Sequence, residues 1–124
     1  HAAQLDTSLS TLSAVSIPTP PSNLGHAYYK YSGLINIKAL KDGWSRDQIC
    51  DELNRRGVPA RVGACPDISR EAAFAADSVS QPSHPNAESV ANRTFTLPIH
   101  PSLSGNNMAF IANTTRDTIL EATR

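Results

Sequence analysis

Three consecutive runs set the fold class of this 124-residue chain: Tyr28-Tyr-Lys-Tyr-Ser-Gly-Leu-Ile-Asn-Ile37, Ser45-Arg-Asp-Gln-Ile-Cys-Asp-Glu-Leu-Asn-Arg-Arg-Gly57 and Pro59-Ala-Arg-Val-Gly63. The first is dense in tyrosine and β-branched residues, which suit a pleated, half-buried surface. It predicts a core strand with Gly33 as a bulge or a point of close approach. Lys38 to Gly43 reads as a polar turn. In the second run Ser45 and Gln48 have the spacing of a capping box, whose side-chain bonds satisfy free amides at a helix start and stabilise it by about 1 kcal/mol. Ile49 and Leu53 supply its apolar face, and Gly57 is its C-terminal stop. The third run is a short strand. The β-α-β order implies a sheet covered by helices on one face.

Upstream, Leu5, Leu9 and Leu12 recur at helical spacing, and Ile17-Pro-Thr-Pro-Pro-Ser-Asn-Leu-Gly25 is extended, because proline lacks the amide donor a helix needs. A lone helix with so few other apolar residues buries little by itself, so it must pack on something. Leucines left exposed there would favour self-association. Downstream, Ser69 to Ala76 reads as a short alanine-rich helix and Asp77 to Pro85 as a mobile surface loop. A helix opening at Asn86 or its neighbour is expected to turn Ala87, Val90 and Ala91 inward. Phe95-Thr-Leu97 is a short strand ended by Pro98 and Pro101. Ser104 caps a terminal helix with Met108, Ile111, Ala112, Thr115 and Ile119 in one stripe. The expectation is an α/β (α+β) fold with a small sheet of about three strands.

Composition sets limits on function. With 40% hydrophobic and 6% aromatic residues, the chain suits one domain with one modest core. Eleven basic and eleven acidic side chains cancel, so no whole-molecule field draws in nucleic acid or an anionic membrane. No apolar run approaches the roughly 20 residues that cross a bilayer, and the first residues lack the order of a secretory signal. The setting expected is cytoplasmic, with Cys50 and Cys65 as reduced thiols. The Asn92-Arg-Thr94 and Asn113-Thr-Thr115 triplets then read as accidental.

His1, His26, His84 and His100 are scattered, with no spacing that suits zinc. A Cys65 pair with His26 or His100 would need convergent loops, and Cys65 reads as a small buried residue instead. Gly57 and Gly63 stand alone, so there is no glycine-rich phosphate loop.

Several stretches taken in order carry a resemblance. They are His26-Ala-Tyr-Tyr-Lys-Tyr31, Trp44-Ser-Arg-Asp47, Leu53-Asn-Arg-Arg-Gly-Val58, Gly63-Ala-Cys-Pro-Asp-Ile-Ser-Arg-Glu-Ala-Ala-Phe74 and Leu97-Pro-Ile-His-Pro101. Together they resemble the C-terminal part of the DegT/DnrJ/StrS family, pyridoxal-phosphate-dependent aminotransferases that act largely on nucleotide-linked keto-sugars. The resemblance implies the small α/β domain of a fold type I aminotransferase at residues 26–124. Residues 1–25 would be the interdomain connector helix and a proline-rich linker. It implies a large cofactor-binding domain of the same polypeptide as partner, a homodimer for the full-length enzyme, and a nucleotide-sugar substrate, with no nucleic acid or membrane involved. A stand-alone binding or regulatory module with the same fold is the alternative.

The resemblance points to the loop after Arg61 as the substrate contact: Gly63, Ala64, Cys65 and Pro66, with Arg61 able to hold a carboxylate or phosphate by two parallel hydrogen bonds. Lys30 and His100 are the other substrate-binding candidates, although a snorkelling lysine and a turn-tying histidine are the plainer readings of each. Many family members carry tyrosine or histidine where this chain reads Gly63-Ala-Cys-Pro66, which leaves the substrate open. Pyridoxal phosphate needs a lysine amine for its Schiff base and an acid for its ring nitrogen. Lys30, Lys38 and Lys41 are the only lysines, and none matches the family's cofactor lysine. The expectation is pyridoxal phosphate in the full-length enzyme, none for this chain alone, and no catalytic residue here.

Overall fold

The computed structural model describes residues 1–63, Ile68 and residues 84–124. Its elements run α1 (Ala2–Leu9), β1 (Val15–Ser16), β2 (Tyr31–Ile35), α2 (Arg46–Arg55), β3 (Arg61–Val62), α3 (Pro85–Ala91), β4 (Thr94–Leu97) and α4 (Gly105–Ala122), with a 3-10 turn at Ile37–Ala39. The strands form one sheet in the order β1-β2-β4-β3, each neighbouring pair antiparallel. Because β2 and β3 both run against β4, they are parallel to each other with β4 between them. The β-α-β unit read from the sequence is therefore a split one.

Local chemistry accounts for the elements. The Ser45 hydroxyl accepts the Gln48 amide, as its spacing predicts. At the other end of α2, Gly57 takes φ 88°, its amide donates to Asn54 O, and the Val58 amide donates to Leu53 O. These are the two bonds of a Schellman closure, and a residue with a Cβ is strained at that φ. Val58 and Leu53, fully buried, supply the accompanying apolar contact. Ser104 and Asn107 form a complete capping box at the start of α4.

The core lies where β2 and β4 meet the helices. Tyr31 stands opposite Leu97, and Gly33 opposite Phe95. Tyr31, Ile35, Phe95 and Leu97 are buried, as are Met108, Ile111, Ala112, Thr115 and Ile119, the whole predicted stripe of α4. α4 packs on both α1 and α2, and α2 also packs on β3 and β4.

Four expectations change. Leu5 and Leu9 are fully buried and Leu12 is 9% exposed, so these leucines leave no apolar face for self-association; α1 is covered by α4. Ala87 and Val90 are exposed and Ala91 is only half-buried, because α3 is held through its carbonyls rather than by a packed face. The sheet has a fourth strand, β1, too short to show a period in sequence. The strand expected from Tyr28 begins only at Tyr31, since Tyr28 adopts φ 47° and turns the chain. The helix expected at residues 69–76 and residues 77–83 of the expected loop lie outside the described residues.

Candidate functional site

The sheet topology brings three connections to one end. β2 begins at Tyr31 opposite Leu97, where β4 ends, and β3 begins at Arg61 opposite Thr96. The segment before β2, the segment before β3 and the proline turn after β4 therefore leave from the same end. They enclose an open cleft of about 1110 Å³, which Thr96, Leu97 and His1 to Ala3 also line.

Lys30, Arg61 and His100 all line this cleft. Arg61 and Thr96 are register partners and so project from one face of the sheet, opposite to the face that carries Phe95. Arg61 is exposed, and Lys30 Nζ sits 5.9 Å from the centre of the Tyr29 ring. His100 Nδ1 accepts the Ser102 amide at 3.2 Å and lies 2.7 Å from Ser102 Oγ. With Nδ1 occupied as an acceptor, Nε2 is the atom left to carry a proton. The histidine thus ties the turn after Pro98, its plainer sequence reading, while standing at the cleft wall. No carboxylate lines the cleft among the described residues. A ligand that meets these groups meets donors and cations, which suits an anion.

The wall ahead of β2 is pinned from within. The Tyr28 amide donates to His26 Nδ1 at 2.9 Å, and Tyr28 stacks on Tyr31 at 6.4 Å between ring centres. Tyr31 donates its hydroxyl to Asp6 Oδ1 at 2.7 Å. Burial, then the Asp6 carboxylate beside it, push the Tyr31 phenol well above its ordinary range. This hydroxyl remains a donor at any physiological pH.

Gly63 is not part of this cleft. It lies two residues past Arg61 and donates its amide to Thr94 O at 2.9 Å, beside the other end of β4. A Cβ on Gly63 would fall inside the Thr94 side chain, so the room its missing side chain provides is taken by a neighbouring strand. Ala64, Cys65 and Pro66 lie outside the described residues. Cys50 is a free, buried thiol pushed up to about 11, first by burial. Among the described residues no cluster of histidine, cysteine or carboxylate could hold a metal ion.

The chain matches the model of the DegT/DnrJ/EryC1/StrS aminotransferase family over residues 1–116. It is 27% identical over 104 residues to the uncharacterised protein MJ1066 of Methanocaldococcus jannaschii, covering 84% of this chain and 26% of that protein. The fold superimposes on the aminotransferase TlmJ from Streptoalloteichus hindustanus with TM-score 0.80 at 26% identity, covering 97% of this chain and 30% of TlmJ. An aminotransferase from Psychrobacter cryohalolentis gives TM-score 0.84 at 21% identity, with 98% of this chain and 32% of that one covered. The chain therefore spans about a third or less of the length of each relative.

Proposed function

This chain belongs to the DegT/DnrJ/EryC1/StrS aminotransferase family, and we propose that it is the C-terminal small domain of a pyridoxal-phosphate-dependent enzyme that aminates nucleotide-linked keto-sugars. The observation that carries this reading is the extent of the match: nearly all of this chain aligns, yet with under a third of TlmJ. Residues 1–25 would connect to the large domain while packing α1 and β1 onto the small one, which residues 26–124 would form. The full-length enzyme would be a homodimer.

Among the described residues, no lysine and carboxylate stand together in the cleft as a pyridoxal-phosphate site would need. Lys41 Nζ donates to Glu121 O near the end of α4, and Lys38 lies in the 3-10 turn. Lys30 alone reaches the cleft, and no carboxylate stands there among the described residues to meet a pyridinium nitrogen. This supports placing the cofactor lysine in the large domain, with this chain contributing substrate contacts. Arg61, Lys30 and His100 would hold the anionic part of the substrate, and Ala64, Cys65 and Pro66 of the following loop would face the sugar. No helix among the described residues is long and apolar enough to cross a membrane.

The test is to purify the natural polypeptide that contains this chain together with the 124-residue chain alone. The longer protein is expected to bind pyridoxal phosphate as a visible absorption band that borohydride reduction abolishes, and to transfer an amine to a nucleotide keto-sugar. The short chain should do neither. A longer polypeptide without the cofactor band would refute the reading.

A further inference from the structure

Tyr29 lines the cleft and is 89% exposed, more than any other large apolar side chain among the described residues. Its neighbour Tyr28 takes φ 47°, a left-handed backbone that a bulky side chain rarely adopts. Such a conformation persists only where the surroundings over-determine it. The Tyr28 amide is held by His26 Nδ1, its ring lies 4.3 Å from the His26 ring and stacks on Tyr31, and the side chain packs against the core. The turn at Tyr28 thus separates two adjacent tyrosines, one packed on the core and the other standing in the cleft.

A tyrosine left in water forgoes the burial its ring would gain elsewhere, so its placement needs another cause. Lys30 Nζ sits 5.9 Å from the Tyr29 ring centre, within the range of a cation–π contact. The ammonium and the ring therefore belong to one wall, and the exposure of the ring leaves its surface away from Lys30 open. Arg61 and His100 line the same cleft, and Pro98 and the exposed Val62 add apolar surface to it. A flat ring open to solvent receives another flat ring, and the cations receive phosphates joined to it. We propose that Tyr29 is the stacking platform for the nucleobase of a nucleoside diphosphate whose phosphates meet Lys30, Arg61 and His100. The inference rests on the functional reading above in taking the ligand to be a nucleotide-linked sugar; ring and cations by themselves specify an anion joined to a flat apolar group.

The experiment uses the natural polypeptide containing this chain, titrated in a calorimeter with UDP, dTDP, GDP and inorganic pyrophosphate. Every base has a face that can stack, so the parent should bind at least one of these nucleotides about tenfold more tightly than pyrophosphate. Tyr29→Ala should weaken that nucleotide about tenfold and leave pyrophosphate within about twofold, which also shows the cleft still folded. Tyr29→Phe keeps the ring and should stay within about threefold of the parent for both. Arg61→Gln should weaken nucleotide and pyrophosphate together. Unchanged nucleotide affinity in Tyr29→Ala would overturn the assignment, as would an equal loss of pyrophosphate or a parent that binds no nucleotide more tightly than pyrophosphate. Tyr29-dependent nucleotide binding in a polypeptide without the pyridoxal phosphate band would uphold the platform and refute the reading as a cofactor-dependent enzyme. A cofactor-loaded enzyme whose nucleotide affinity ignores Tyr29 would do the reverse, so the two fail separately.

Discussion

Replacing Gly33 with alanine sets two opposing effects against each other, and the structure decides which prevails. Alanine in a strand interior restricts the unfolded chain more than glycine does, which stabilises the fold by about 0.5–1 kcal/mol. Against this, a Cβ at position 33 would lie 2.6 Å from Phe95 Cε1 and 3.2 Å from Ile17 Cδ1. Phe95 is fully buried and is the register partner of Gly33, so its ring has no open side to move into. Forcing extra volume into a packed core costs about 1–3 kcal/mol. The clash should win, with a net loss of up to about 2.5 kcal/mol. At about 4 °C per kcal/mol for a domain of this size, Tm falls by up to about 10 °C. Denaturation followed by circular dichroism would measure this, and a cycle with Phe95→Leu gives the cause. Leucine lacks the outer ring atoms that meet the new methyl, so Gly33→Ala should be neutral or stabilising in that background, with a coupling of at least about 1 kcal/mol. If Gly33→Ala matches the parent protein and shows no coupling to position 95, the close approach does not control the packing of β2 on β4.

Two further perturbations probe the charge pairs. Glu52 accepts from Arg55 and then Arg56, and these guanidinium groups hold its carboxyl down to about 2 from an ordinary 4.5. Its folded value lies below the unfolded one, so its contribution is present above pH 4.5 and fades as pH falls toward 2. Glu52→Gln should therefore lower Tm by a constant amount at neutral pH and converge with the parent in acid; a difference that persists at low pH contradicts this. Tyr31→Phe removes the donor to Asp6, which is only half-buried and can turn to water, so the cost should be about 1 kcal/mol in urea denaturation. In the native parent, alkaline difference spectra should show Tyr31 still protonated until the protein unfolds.

The parts of the fold legible in the sequence are those fixed by short-range chemistry. Ser45 and Ser104 accept amides three residues on, Gly57 supplies the left-handed closure, and the α4 stripe needs only the helical period. What sequence could not give depends on contacts distant along the chain. β1 is two residues long and exists because Val15 and Ser16 meet Ile35 and Leu34. The small apolar residues of α3 looked like a packing face, yet two carbonyl bonds from Arg46 and Thr94 hold that helix, and no side-chain period encodes such bonds. Arg46 lies within the Trp44-Ser-Arg-Asp47 stretch, yet only its place as a cation at the unfavourable end of a helix hints at bonds to distant carbonyls.

The candidate site shows why a balanced composition is weak guidance to local chemistry. Eleven positive and eleven negative side chains imply no field over the whole molecule. Yet the order β1-β2-β4-β3 brings the start of β2, the start of β3 and the end of β4 to one end of the sheet, and with them Lys30, Arg61 and His100. Several of the carboxylates are engaged elsewhere: Glu52 and Glu121 on Arg56, Asp47 on Arg46, Asp117 on Arg116, Asp42 on Arg124. Charge is thus neutralised pairwise away from the cleft, and among the described residues the cleft wall holds cations but no carboxylate. The same β4 strand that gathers these groups at Leu97 carries Thr94 at its other end, where Arg46 and Gly63 meet. A four-residue strand therefore joins the wall that carries Lys30, Arg61 and His100 to the end of β3 at Gly63.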